Sequence, residues 1–394
     1  MQVSSRLIAL GAASAILIAA CSSGGAASQA PASAAPASQA PASQAPASQA
    51  PASQAPASAP ASAGASQAIN TNWKACVAFD TGGLGDKGFN DLAQKGLNDA
   101  KALGYQTAFS EAQGATDYAS NIQRLLDQGC QTIVAVGFNQ TEAVSKATLA
   151  NPDVAFALVD STWDETTYGK TPANFTGLDF QIDEAATLAG YLAAGFSQSK
   201  KLGTYGGQQF PGVTRFMDGM YAGSKLYNAK HGTSVSLLGW DAAKQEGTFV
   251  GGSNPWNDPA KGEQLAKTFL DQGVDIVHPV AGATGNGTIK AMMAAGKWAI
   301  GVDTDQAISL SQYAPAILTS AQKEIDVAVL ETIKKNSAGD LGGENFEGTL
   351  ANGGVVLAPY HDFDSKIPAD LKAEVDQLKS DIASGKVKIA DYLK

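Results

Sequence analysis

The stretch VAFDTGGLGDKGFNDLAQKGL, residues 77–97, runs from an apolar segment into an acid, through a glycine loop and into a helix-like segment. Val77 to Phe79 has the unbroken apolarity of a strand covered on both faces. Strand, glycine loop and helix in this order begin a βα unit, and so a parallel sheet. Gly83, Gly85 and Gly88 also match the G-x-G-x-x-G dinucleotide fingerprint, with the acid Glu111 further on. Three features oppose a pyrophosphate here. Asp80 would repel it from the strand end. Phe89 follows the third glycine, where close helix–strand packing favours a small residue. The N-terminal segment also directs the chain out of the cytoplasm, where such cofactors are scarce. The alternative is that the glycines bring backbone close to a ligand, while Asp80, Phe89 and Asn90 contribute side chains.

That N-terminal segment has Arg6 followed by the uncharged run Leu7 to Ala20, then Cys21 in LIAAC. The run is short for a membrane span and suits a signal h-region. Small residues directly before Cys21 form a bacterial lipobox, so residues 1–20 are expected to be a lipoprotein signal peptide. Lipid on Cys21 would anchor the chain to the cell membrane, because more than one acyl chain gives stable attachment. Residues 21–70 form a tether: from Ser22 onward the chain repeats QAPAS without charge or bulky apolar residues until Ile69. Such a segment buries no core. Its prolines favour an extended polyproline II path of roughly 3.1 Å per residue.

The chemistry is therefore expected in residues 71–394, enough for two domains. Removing the leader takes Arg6 from the formal charge of −10 and leaves −11. No Lys/Arg cluster offsets this acidity, which argues against a nucleic-acid partner. Cys76 and Cys130 each open a predicted strand. Two buried free thiols are the preferred expectation, and a disulfide is the alternative in an extracytoplasmic chain. Two cysteines and the scattered His231, His278 and His361 do not make a metal site.

Strand-like runs recur as CVAFD, YQTAFSE, TIVAVG, VAFALVD, KLGTYGG, VSLLGW, DIVHPVAG and KWAIGVD, with helix-like runs between them. The pattern restarts at KLGTYGG. This predicts an α/β protein of two doubly wound parallel-sheet domains, joined by several chain crossings, with a ligand cleft at the strand ends. The expected division is 74–178 plus 318–352 for an N-terminal lobe, and 179–317 plus 353–394 for a C-terminal lobe. Other residues that draw attention stand in loops or at strand ends. Trp256 lies in the turn-rich GSNPWNDPAKGEQLA, VAGATGNG is a second glycine-rich loop, Asp303 and Asp305 end a strand, and Lys323 lies at a predicted hinge crossing.

Taken in order, DTGGLGDKGFND, FALVD, GGQQFPGVTRFMDGMYAG, NDPAKGEQLA, AGATGNG, IGVDTDQ and TSAQKEIDVAV resemble the successive blocks of the basic membrane protein family, over about residues 74–360. These are lipoproteins that act as solute-binding subunits of ABC transporters, and the PnrA-type members bind nucleosides. The resemblance implies a type I periplasmic-binding-protein fold closing over a purine nucleoside, a monomeric chain, an ABC permease as partner, and no cofactor. It implies that Phe89 and Trp256 sandwich the base, that Asp160 and Asn90 meet its edge, and that Asp303, Lys323 and the Gly282 backbone meet the ribose. Asp80 is a further contributor. Trp256 stands where the family usually has Phe, and GDKGFND replaces the commoner DDKSFNQ. The wider ring leaves a larger heterocycle such as a flavin open as ligand, and a sensor for a membrane receptor open as role. An enzyme is not expected: there is no G-x-S-x-G elbow and no Walker lysine–Ser/Thr pair.

Overall fold

The computed structural model describes residues 69–394; the leader, Cys21 and the tether up to residue 68 lie outside them. The first series of elements is β1 (Lys74–Phe79), α1 (Phe89–Ala102), β2 (Gln106–Glu111), α2 (Tyr118–Asp127), β3 (Thr132–Val136), α3 (Thr141–Ala150), β4 (Ala155–Val159), the one-turn α4 (Glu165–Tyr168) and β5 (Phe175–Phe180). The second begins with α5 (Ile182–Phe196), β6 (Lys201–Gly206), α6 (Pro211–His231) and β7 (Ser236–Leu238). A small hairpin, β8 (Trp240–Asp241) and β9 (Glu246–Gly247), precedes α7 (Pro259–Asp271), β10 (Ile276–Val280), α8 (Ala283–Ala294) and β11 (Trp298–Asp303). The chain ends with α9 (Gln306–Ser309), β12 (Ile317–Lys323), α10 (Ile325–Ser337), β13 (Phe346–Gly348), β14 (Val355–Leu357) and α11 (Ala369–Ala383).

The strands form two six-stranded sheets with one topology. The first has the order β13-β5-β4-β3-β1-β2, the second β14-β12-β11-β10-β6-β7. Within these two sheets all pairings are parallel except β14 against β12, and the separate β8–β9 hairpin is antiparallel. β1, β3, β4 and β10 are buried almost throughout, which is why they read as continuous apolar runs rather than alternating ones. In each sheet the winding reverses beside its first strand, between β1 and β3 and between β6 and β10. Doubly wound sheets bind ligands in the crevice at such switch points, outside the strand carboxyl ends.

The chain crosses between sheets three times, and two crossings differ from expectation. The boundary expected at 178 falls inside β5, which pairs with β4 through Leu178. That strand was hidden in the sequence because Gly177 breaks its apolar run. A side chain at Gly177 would collide with Asn345, with the Ser161 carbonyl and with the Thr162 Cα, at 2.6–2.9 Å. The return expected at 318 occurs after Lys323 instead, because β12 completes the second sheet by pairing with β11. Only then does α10 cross back to pack on α1.

Cys76 and Cys130 are joined in a disulfide, with Cα atoms 6.0 Å apart, which corrects the preference for free thiols. The parallel β1–β3 register sets Cys76 beside Ile133. The segment entering β3 therefore returns Cys130 to the buried cluster of Cys76, Ile122 and Leu125. Among the described residues no helix is long and apolar enough to cross a membrane.

Candidate ligand-binding cleft

Between the two sheets lies a cavity at the strand carboxyl ends, the place where doubly wound sheets bind small molecules. Asp80, Phe89, Asn90, Asp160, Trp256, Gly282, Asp303 and Lys323 all line it. The fold brings them together because all but Trp256 follow or end an inner strand or open the next helix, while Trp256 lies in the loop before α7. Asp80 follows β1, Asp160 follows β4, Asp303 ends β11 and Lys323 ends β12. β4 and β11 hold equivalent places in the two sheets, and the acids at their ends share a conformation: Asp160 has φ 63° and Asp303 φ 64°. The left-handed region is uncommon for residues other than glycine, and such strain concentrates at functional sites.

One buried cation serves the acids. Lys323 Nζ lies 2.6 Å from Asp160 Oδ2, 3.6 Å from Asp303 Oδ1, and within 3.4 Å of the Gly212 carbonyl. Burial raises the pKa of the Asp160 carboxyl, against the pull of Lys323. Burial likewise pushes Asp303 up to about 6, with Lys323 opposing and Asp160 adding to the rise. On the opposite wall Asn90 Nδ2 donates to Asp80 Oδ1 at 3.0 Å and to Asp86 Oδ2 at 3.1 Å. Asp80 is pushed up to about 6 by burial, despite the bonds from Gly82 and Asn90. Asn90 Oδ1, Asp303 Oδ1 and the Trp256 indole nitrogen are buried without a hydrogen-bond partner. Unpaired buried polar atoms are costly, so this wall is suited to a ligand with both donors and acceptors.

The aromatic lining comes from both lobes. Phe89 opens α1, and its ring lies 5.3 Å from Lys323 Nζ. Trp256 rests on the backbone at Gly207, where any side chain would strike the six-membered ring of the indole. Phe210 meets the indole edge-on, with centroids 5.8 Å apart. Phe210 also stacks on Phe138 of the other lobe at 5.0 Å and 13°. The lobes touch elsewhere around the cavity: Asn286 Nδ2 donates to the Asp86 carbonyl at 3.2 Å, Ser309 Oγ to the Lys87 carbonyl at 2.8 Å, and Asn139 Nδ2 to Gln208 Oε1 at 3.0 Å. The cleft is closed in this structure.

Sequence reasoning missed several lining residues. Asp86 organises the loop before α1, accepting from the Gly88, Asn90 and Asp91 amides at 2.8–3.2 Å. Phe138, Phe210 and Phe216 also line the cavity. A signal existed for Phe138: it follows a strand and a glycine in TIVAVGFN, much as Phe89 follows a glycine before its helix. The segment expected as a second glycine-rich loop is largely helical. Of its glycines only Gly282 stays outside, as the cap residue before α8, with φ 54°.

Two doubly wound lobes with a closed, aromatic and acidic cavity between them define a solute-binding protein of the periplasmic type. The chain belongs to the family described as ABC transporter substrate-binding protein PnrA-like, whose model matches residues 74–391. It is 30% identical over 351 residues to the ABC transporter nucleoside-binding protein BmpA of Lactococcus lactis subsp. cremoris, a match that covers 83% of this chain and 92% of that protein. To basic membrane protein A of Borreliella burgdorferi it is 28% identical over 314 residues, covering 78% and 84%. The crystal structure of an ABC transporter system solute-binding protein from Aeropyrum pernix K1 superposes with a TM-score of 0.70 at 28% identity, covering 80% and 92%.

Proposed function

We propose that this protein is the extracytoplasmic receptor of an ABC importer, and that it holds a purine nucleoside between its lobes and delivers it to a permease. The observation that carries the reading is one cavity with aromatic faces from both lobes, Phe89 and Trp256, beside a carboxylate with an open acceptor, Asp303. A purine is flat, and stacking on an aromatic side chain contributes roughly 1–3 kcal/mol per base. A ribose carries a vicinal diol, which an ionised carboxylate binds through two charge-assisted hydrogen bonds. Asn90 offers an acceptor to the base edge, and Asp80 and Asp160 support it. The lining holds four acids, Asp80, Asp86, Asp160 and Asp303, against Lys323 alone, which disfavours a phosphorylated ligand. Contacts from both lobes would make the ligand itself stabilise the closed form. The name of the Lactococcus relative as nucleoside-binding supports this ligand class.

Lipid on Cys21 would attach the folded body to the membrane as a monomer, with the tether spanning the distance to it. A relative from Pyrococcus furiosus, 30% identical over 287 residues, is named a lipoprotein. Native mass spectrometry after gentle purification tests the ligand assignment. A retained mass equal to that of a purine nucleoside is expected; a flavin or a sugar in its place would replace the assignment.

A further inference from the structure

Two of the segments singled out in the sequence, the Trp256 loop and the AGATGNG stretch, meet at one buried hydroxyl. Thr284 lies in the first turn of α8 and has no exposed surface. Its Oγ1 donates to the Pro255 carbonyl at 3.0 Å and accepts from the Asp258 amide at 2.8 Å. Its backbone N–H reaches the Trp256 carbonyl at 3.2 Å and the Ala281 carbonyl at 3.1 Å. Two polar groups of one residue, the Thr284 hydroxyl and backbone N–H, thus make three hydrogen bonds that hold Pro255, Trp256 and Asp258 around the indole-bearing position. The held segment has no regular secondary structure of its own, and the indole nitrogen is without a partner. Asp258 continues the attachment by capping α7, where its Oδ1 accepts from the Lys261 amide at 3.0 Å.

We infer that Thr284 is a positioning residue for the ligand site. It holds the Trp256 indole against Gly207 and the Trp256 backbone beside Gly282, so that the stacking wall stands in place before the ligand arrives. The inference rests on the reading of Trp256 as a stacking face, whichever flat ligand stacks there. Only a residue that both donates and accepts can close the loop in this way. Valine has the shape of threonine without the hydroxyl. It would leave the Pro255 carbonyl and the Asp258 amide without their partner, and the loop would move to satisfy them. Affinity would fall because the ligand would then have to order the wall on binding.

The test compares Thr284→Val and Thr284→Ser in the otherwise intact protein. Calorimetry with adenosine should show affinity about tenfold weaker for T284V and within about threefold of the parent for T284S. A second measurement needs no ligand. Acrylamide quenching of Trp256 emission, taken as the difference from the matching Trp256→Phe protein, should increase in T284V and stay near the parent in T284S. If T284V does not fold, Thr284→Ala removes the same bonds and is read in the same way. Unchanged quenching and affinity in the variant lacking the hydroxyl would overturn the inference, as would a T284S protein impaired as much as T284V. Failure of adenosine to bind the parent protein would count against the nucleoside reading, and the quenching comparison would then decide the role of Thr284 alone.

Discussion

Lys323 and Asp160 form an ion pair of 2.6 Å with side chains only 2% and 6% exposed, although one ends a strand of the second sheet and the other follows a strand of the first. The pair joins the lobes at the floor of the cleft. Asp303 stands 3.6 Å from the same ammonium and keeps an oxygen without a hydrogen bond. One cation therefore serves two acids, and the acid it serves less closely is the one free to meet a ligand.

Removing the cation alone should be severe. Lys323→Met leaves Asp160 and Asp303 buried without a counter-charge, a kind of change that typically costs about 3–5 kcal/mol. Replacing both partners, Lys323→Met with Asp160→Leu, should recover much of the loss. Urea denaturation of the two variants checks this, and a single variant as stable as the parent would contradict it.

Asp303 should oppose stability while serving binding. Its carboxyl is pushed up to about 6 from an ordinary value of 3.8. The folded state then holds its proton more tightly than the unfolded state does. The stability from this group is fully present below about pH 4 and lost as pH rises through 6. Asp303→Asn should therefore stabilise the ligand-free protein at pH 7.5, by up to about 3 kcal/mol from a shift of this size, and should not at pH 4. The same variant should lose nucleoside binding. Equal melting temperatures of parent and variant at pH 7.5 would contradict the assignment.

Ligand affinity should run the other way with pH. Hydroxyls that donate to Asp303 favour its ionised form, so binding must displace the proton below pH 6. Affinity is expected to fall as pH drops from 7.5 to 5, with proton uptake by the buffer visible in calorimetry. Flat affinity across that range would show that Asp303 accepts nothing from the ligand.

The disulfide should be a stability element of the first lobe. It closes a sequence separation of 54 residues between β1 and the segment entering β3. Such a bond typically contributes about 2–4 kcal/mol, chiefly by restricting the unfolded chain. Cys76→Ser with Cys130→Ser should lower the melting temperature while leaving ligand stoichiometry intact. A variant that melts with the parent would contradict this.

Much of this was legible in the sequence, because strand burial and strand-end chemistry leave local marks. The unbroken apolar runs of β1, β3, β4 and β10 announced parallel sheets, and the acids at strand ends announced the cleft. Phe89 and Trp256 were conspicuous as aromatics in polar loops. What stayed hidden depended on distant contacts. β5 was obscured by Gly177, whose small size is demanded by Ser161 and Asn345. The sequence marks a short strand and helix near Lys323 at a hinge crossing, but only the pairing with β11 assigns β12 to the second sheet. Nothing in the sequence separates Asp86 from other loop acids; its role lies in its bonds to the amides at the start of α1. The cysteine pairing depended on how the chain turns into β3, which the spacing alone does not state.

The central claim is that the cavity between Phe89 and Trp256 binds a purine nucleoside. Calorimetric titration of the purified protein with adenosine, guanosine and inosine tests it most directly, with Trp256→Ala and Asp303→Ala as comparisons. The expected result is saturable one-to-one binding of at least one nucleoside, weakened in both variants while each remains folded. No heat with any of the three, or undiminished binding in both variants, would contradict it.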